Sequence, residues 1–272
     1  MPPPKESVHA SVGTSAFASG GGPPPDGVHI AGGDTATPLN LAKRVALIEA
    51  LAGLRGRRLL DAGCGAGEYV EAFAARGADA WGIEFSAEKV RAYHARHPVS
   101  QRVTQGQLTA VPLPDGSFDL VLLNEVLEHT PDEIGTLTEM HRLLQPAGVL
   151  VVFSPNRLFP FETHGVSLRR GGRALSPWVP GVPYVPRVLS RRWFAAWARN
   201  YWPWELSRLL AATGFRITRR AWAWQTFENI SGRQPRWMVR AAPLLRQVAA
   251  VMEACPGVRC FGTSQVLLAA KA

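Results

Sequence analysis

A glycine-rich turn between a strand and a helix constrains this chain more than any other feature. Leu59-Leu60-Asp61-Ala62-Gly63-Cys64-Gly65-Ala66-Gly67 closes an apolar run with three alternate glycines, and the stretch Gly67–Arg76 follows with helical character. Glycine suits such a turn because the backbone takes unusual φ/ψ there and because a ligand approaches without a Cβ in the way. Around this turn strands and helices alternate. Arg58–Ala62, Ala80–Glu84, Gln101–Thr104, Phe118–Leu123 and Val149–Phe153 read as strands, the fourth introduced by the turn Pro114-Asp115-Gly116. Ala87–His97 and Pro131–Leu144 read as helices, the second stopped by Pro146-Ala147-Gly148. Arg216–Trp224 and Ser264–Ala270 add two late strands, expected as an antiparallel edge, after a helix over Trp204–Thr213. The expected class is α/β, a doubly wound and mostly parallel seven-stranded sheet with helices on both faces and an inserted cap.

The rest of the chain divides around that core. Residues 1–36 are rich in Pro, Gly, Ser and Ala and read as a disordered tail. Thr37-Pro38 is a helix start, and Leu41, Val45, Ile48 and Leu51 follow at helical spacing. A ligand-binding core is expected over 37–154, a substrate-side cap with a late helix and strand over 155–262, and a terminal core strand over 263–272. Seven prolines between Pro155 and Pro203 break the strand–helix rhythm, and Gln225–Gly262 reads as a second insertion over the sheet edge. Three cysteines (Cys64, Cys255, Cys260) give neither a disulfide nor a zinc framework, and the N-terminus lacks the charged-then-apolar pattern of a signal peptide. A cytoplasmic protein is expected, with no spanning helix.

The glycine spacing discriminates between nucleotide ligands. A dinucleotide oxidoreductase carries G-x-G-x-x-G. Here Gly63, Gly65 and Gly67 are spaced G-x-G-x-G, and Glu68 stands where the third glycine would fall. Asp61 lies two residues before the first glycine. A carboxylate there repels a pyrophosphate and suits S-adenosylmethionine, which carries a sulfonium cation. Glu84, at the end of the second strand, is placed to accept the hydroxyls of an adenosine ribose. Cys64 reads as a small filler inside the loop.

Through these residues the stretch from Leu59 to Phe153 resembles the class I S-adenosylmethionine-dependent methyltransferases of the small-molecule ubiquinone/menaquinone-type ("methyltransferase type 11") group, whose fold is Rossmann-like. "LLDAGCGAG", "GIEFS", "VPLPDGSFDLVLLNEVLEH" and "RLLQPAGVLVVFSPN" occur in that family's order. The resemblance implies S-adenosylmethionine as cofactor. Asp61, Gly63, Cys64, Gly65 and Gly67 would border its methionine end, Glu84 would hold the ribose, and Phe85 and Ser86 would lie beside the ribose or adenine. Gln107 and Leu108 stand where the family often has an Asp and an apolar residue gripping the adenine amine, and Asn124 completes the cofactor set.

Methyl transfer is an in-line displacement, so the enzyme must place a nucleophile about 3 Å from the methyl group and often remove its proton. Glu125, Glu128 and His129 follow the fourth strand. On a turn of helix they share one face at i, i+3 and i+4. They read either as a divalent-cation site or as a base, His129, oriented by a carboxylate. Resemblance to the ubiquinone-pathway O-methyltransferases implies that their Glu-x-x-Glu-His metal site falls on Glu125, Glu128 and His129, with Mg²⁺ as the candidate ion. A second cluster follows the fifth strand, where Glu162 and His164 are alternative bases and Phe159 and Phe161 candidate pocket walls. The structural alternative is a loop that only packs on the sheet.

Charge is uneven. The chain carries a formal +9, yet Arg157–Arg246 holds 16 Arg, no Lys or Asp and only three Glu, together with eight of the nine Trp. Two readings follow: Arg use set by genome composition with core Trp, or a basic surface meeting an anionic membrane peripherally, with Arg191–Trp204 as a lipid-facing lid. Nucleic acid is not the expected substrate, since Ser154-Pro155-Asn156 replaces the Asn/Asp-Pro-Pro-aromatic motif used on flipped bases. The expected activity is O-methylation of a small hydroxylated acceptor: a phenol, a sugar or a lipid/quinone precursor. N- or C-methylation, a dinucleotide-dependent oxidoreductase and a non-catalytic S-adenosylmethionine-binding partner protein are the alternatives.

Overall fold

The computed structural model describes residues 38–176, 179–196, 198–228 and 236–272, so the expected tail lies outside the described residues. The N-terminal half alternates regularly. Helix α1 (Pro38–Ala52) precedes β1 (Arg58–Ala62), α2 (Glu68–Ala74), β2 (Asp79–Glu84), α3 (Ala87–Arg96), β3 (Val103–Gln105), β4 (Phe118–Asn124), α4 (Glu133–Leu143) and β5 (Leu144–Pro155). The second half holds β6 (Val166–Leu168), α5 (Arg187–Trp193), β7 (Phe194–Ala196), α6 (Pro203–Ala212), β8 (Phe215–Ala223), α7 (Arg236–Arg240), α8 (Ala242–Ala254) and β9 (Ser264–Lys271).

Seven strands form one sheet in the order β3-β2-β1-β4-β5-β9-β8. The first five run parallel. β9 enters antiparallel between β5 and β8, so the late pair extends the sheet as expected, with β8 outermost. Side chains alternate across the sheet. Leu120 and Leu122 of β4 pack towards Val45, Ile48, Tyr69, Phe73 and Tyr93 of α1, α2 and α3. Val121 and Leu123 face Leu137, Met140, Leu206 and Leu210 of α4 and α6. Both faces are therefore covered, which is why the central strands read as unbroken apolar runs.

Within residues 155–262, α6 and β8 are part of the central layers, and they separate an insertion over 156–202 from another over 224–263. Two expectations change. The third strand is Val103–Gln105, shifted two residues from the expected start. The helix stop at Pro146-Ala147-Gly148 lies inside β5, whose pairing with β4 is irregular there, with Ala147 at φ 63.

Candidate active site

The glycine loop sits at the carboxyl end of β1 and is pinned to β2, with Gly63 N–H and Cys64 N–H both donating to the Ile83 carbonyl at 2.8 and 3.0 Å. Gly63, Gly65 and Gly67 have φ of 88, 59 and 85°. Two of them are also steric necessities. A Cβ at Gly63 would lie 2.6 Å from Val126, and one at Gly67 2.5 Å from the Tyr93 ring. At Gly65 a Cβ would meet nothing within 4 Å. That opening in the loop is where a ligand has room.

Carboxylates converge on this opening. Glu84 accepts from Gly65 N–H at 3.0 Å and Ser86 N–H at 2.9 Å, so the loop and the start of α3 orient it. Ser86 caps α3 through Lys89 N–H. Asp61 is buried, and burial, followed by the charges of Glu84 and Glu68, pushes its carboxyl up to about 8. A cation placed in the opening reverses that penalty. Cys64 is buried against Gly82, where a Cβ would come 2.5 Å from its Sγ, and burial raises its thiol pKa well above the ordinary value. It is the filler expected of it rather than a nucleophile. Phe85 is exposed beside Glu84, and Gln107 and Leu108 lie just past β3 at the same edge. The residues present fit S-adenosylmethionine: an open glycine turn, an oriented carboxylate at the second strand, and a buried carboxylate that a sulfonium would stabilise.

Beyond β4 the expected helical face does not form. Glu125 takes φ 56°, in the left-handed region, and only Leu127–His129 makes a 3₁₀ turn. Glu125 stays beside Glu128 but is engaged by Arg44 of α1, whose Nη2 donates to its Oε1 at 3.0 Å, and by the Ser264 hydroxyl at 2.5 Å. Arg44 also holds Asn124 Oδ1 and lies 5.0 Å over the Phe153 ring. Burial raises the Glu125 pKa, but the Arg44 and His164 charges outweigh it, so the net shift is downward. Burial and the neighbouring Glu125 charge push Glu128 the other way, well up. A proton held between the two carboxylates relieves that repulsion.

The group that does assemble is Glu128, His129 and His164, each offering one ligand atom, all within 4.8 Å of one another. His164 comes from the loop after β5. Its Nε2 is 3.6 Å from Glu128 Oε1, and its ring meets the His129 ring edge-on at 5.3 Å. Glu162 positions that loop by accepting His164 N–H at 3.0 Å and the Asn200 amide at 2.5 Å, and burial lifts its carboxyl to about 7. Phe159 and Phe161 pack edge to face beside it at 5.6 Å. The two clusters that the sequence kept apart thus form one site. The sequence reading missed Arg44, Ser264 and Asn200. The available signal was Arg44, an ionic residue on the apolar face that Leu41, Val45 and Ile48 define.

This sheet order and carboxylate-lined glycine loop agree with the class I S-adenosylmethionine-dependent methyltransferase resemblance of the sequence. Residues 60–152 match the family model described as a methyltransferase domain. The ubiquinone biosynthesis O-methyltransferase of Psychrobacter arcticus is 32% identical over 169 residues, 60% of this chain and 60% of its own. That of Methylococcus capsulatus is 35% identical over 172 residues, 61% of this chain and 65% of its own. The Pseudomonas aeruginosa (strain UCBPP-PA14) enzyme of the same name is 38% identical over 119 residues, 42% and 51%. The matches thus span 51 to 65% of these relatives' lengths. Among solved structures, an S-adenosylmethionine-dependent methyltransferase from Mesorhizobium loti aligns with TM-score 0.55 at 19% identity, covering 84% of this chain and 97% of its own. One from Methanosarcina mazei aligns with TM-score 0.52 at 16% identity, covering 83% and 96%. At such identities the likeness is one of fold. Among the described residues no helix is long and apolar enough to cross a membrane.

Proposed function

We propose that this chain transfers the methyl group of S-adenosylmethionine to a hydroxyl oxygen of a small acceptor: a phenol, a sugar or, closest to the names of its relatives, a quinone precursor. The observation that carries the reading is the open glycine turn at Gly65 flanked by Asp61 and Glu84. When bound, S-adenosylmethionine supplies an electrophilic methyl group on a sulfonium. Asp61 would balance its positive charge, and Glu84 would take the ribose hydroxyls. The acceptor would lie over the ends of β4 and β5, between the glycine loop and His164. There the imidazole of His164, held at Nδ1 by the Thr163 hydroxyl at 3.1 Å and flanked by Glu128 and His129, is the group best placed to take the acceptor's proton as the oxygen attacks.

The expected Mg²⁺ site does not fit this arrangement. Mg²⁺ takes near-octahedral oxygen ligands. The atoms brought together are one carboxylate and two imidazoles, and Glu125 is engaged by Arg44 and Ser264. Turnover is accordingly expected not to depend on added Mg²⁺.

The test has two parts. S-adenosylmethionine at about a hundred times its Kd should raise the melting temperature by roughly 5–10 °C, while NAD leaves it unchanged. A shift with NAD instead would return the oxidoreductase reading. His164→Ala should then cut turnover on a panel of phenols, sugars and quinone precursors by about 10²–10⁴-fold while preserving that thermal shift. Unchanged turnover removes His164 from the chemistry.

A further inference from the structure

The two insertions leave the sheet at the same edge. Residues 156–202 follow the carboxyl end of β5, and the register Pro155↔Ser264 and Ala223↔Ser264 puts both ends of the 224–263 insertion beside it. The Asn156 side chain ties them, donating to the carbonyls of Cys260 and Gly262 at 2.8 and 2.7 Å. This is also the edge that holds the candidate active site.

Each insertion exposes apolar side chains beside arginines. On α5, Val188 is 82% exposed, and Leu189 and Trp193 lie open with Arg192. Arg169, Arg170 and Arg173 crown the adjacent turn, which Arg169 N–H fastens to the Trp193 carbonyl at 2.8 Å. On α8, Leu244, Val248 and Val251 recur at i, i+4 and i+7, so helical periodicity puts them on one face, and that face is exposed. Trp237 of α7 is exposed between Arg236 and Arg240. Together residues 156–202 and 224–263 hold 13 Arg and three acidic residues, Glu162, Glu228 and Glu253. All three acids are engaged: Glu162 accepts His164 N–H, Glu228 accepts Leu39 and Asn40 N–H, and Glu253 pairs with Lys43.

We propose that this edge docks on an anionic phospholipid bilayer, with α5 and α8 seating their apolar side chains at the headgroup boundary and the arginines meeting lipid phosphates. The chemistry selects this partner over others. Nucleic acid satisfies arginines but has no use for exposed Val, Leu and Trp in two places. A second copy of the chain would bring like charge against like charge. An anionic bilayer takes both, because aromatic and aliphatic groups sit at its interface while arginines reach its phosphates. The proposal rests on and deepens the reading of a quinone-precursor acceptor, which would then enter the site from the membrane side.

Flotation of the full chain with two vesicle preparations decides it: phosphatidylcholine alone, and phosphatidylcholine mixed equally with phosphatidylglycerol. Recovery is expected only with the anionic vesicles and should fall as salt rises. Val188→Glu/Trp193→Glu and Val248→Glu/Val251→Glu should each lower the recovered fraction by about tenfold, with the melting temperature and its S-adenosylmethionine shift kept. Absent recovery, equal recovery on neutral vesicles, or insensitivity to either double variant overturns the proposal. So does an α8 variant that turns a dimer into a monomer by light scattering, or binding to a short single-stranded RNA without binding to vesicles. Flotation needs no turnover, so an inactive chain that still floats counts against the acceptor reading alone.

Discussion

Asp61 couples protonation to ligand binding. Its carboxyl is pushed from 3.8 to about 8 by burial and by the charges of Glu84 and Glu68, so the ligand-free fold favours the protonated form. Its contribution to stability is complete below the unfolded pKa and declines as pH rises towards 8. A sulfonium beside it favours the ionised form, so binding releases a proton. Affinity for S-adenosylmethionine should therefore tighten between about pH 6 and pH 8, by no more than about tenfold per pH unit. Asp61→Asn should flatten that slope, weaken binding, and raise the melting temperature of the ligand-free protein near pH 8. Calorimetric titration at several pH values measures both, and an unchanged slope in Asp61→Asn would assign the titration elsewhere. The residue type and its place before the glycines were legible in the sequence. Its shift was not, because that depends on Glu68 and Glu84 closing around a buried position.

Element boundaries follow the same division. The edges of β1, β2 and β8 lie within a residue of their expected positions. Runs buried on both faces carry their own signal. β6, β7 and α5 did not, since three-residue strands and a seven-residue helix owe their form to pairing and packing rather than periodicity. In α8 the structure leaves Leu244, Val248 and Val251 in solvent, in a stretch that the sequence marked only as an insertion. Nor does anything in Asn124-Glu125-Val126 announce a glutamate at positive φ. That conformation exists because Arg44 of α1 and Ser264 of β9 hold the carboxylate from two sides. Arg44→Met should therefore cost about 3 kcal/mol, since it leaves Glu125 buried without its cation. Arg44→Met/Glu125→Gln should recover most of the loss in urea denaturation. Additive losses would mean that the pair does not act as a unit.

At the scale of the molecule, one sheet unites distant parts of the chain. β9, from the last residues, lies between β5 and β8, and both apolar layers continue across it through Val266, Leu268, Leu267 and Ala269. Opening any central strand exposes both layers, so β1, β4, β5 and β9 should exchange amide hydrogens only through global unfolding. The exposed turn at 169–174 and α5 lack such cover and should exchange fastest. The candidate site lies between these extremes, on loops anchored to rigid strand ends. S-adenosylmethionine is therefore expected to slow exchange at 63–67, 84–86 and 127–129 by the stabilisation that binding provides, and to leave α8 unchanged. Mass spectrometry of exchange with and without the ligand reads this directly. Slowing that extends over α5 and α8 would instead mean that both insertions close on the ligand, and a site preformed on the sheet edge would no longer describe the protein.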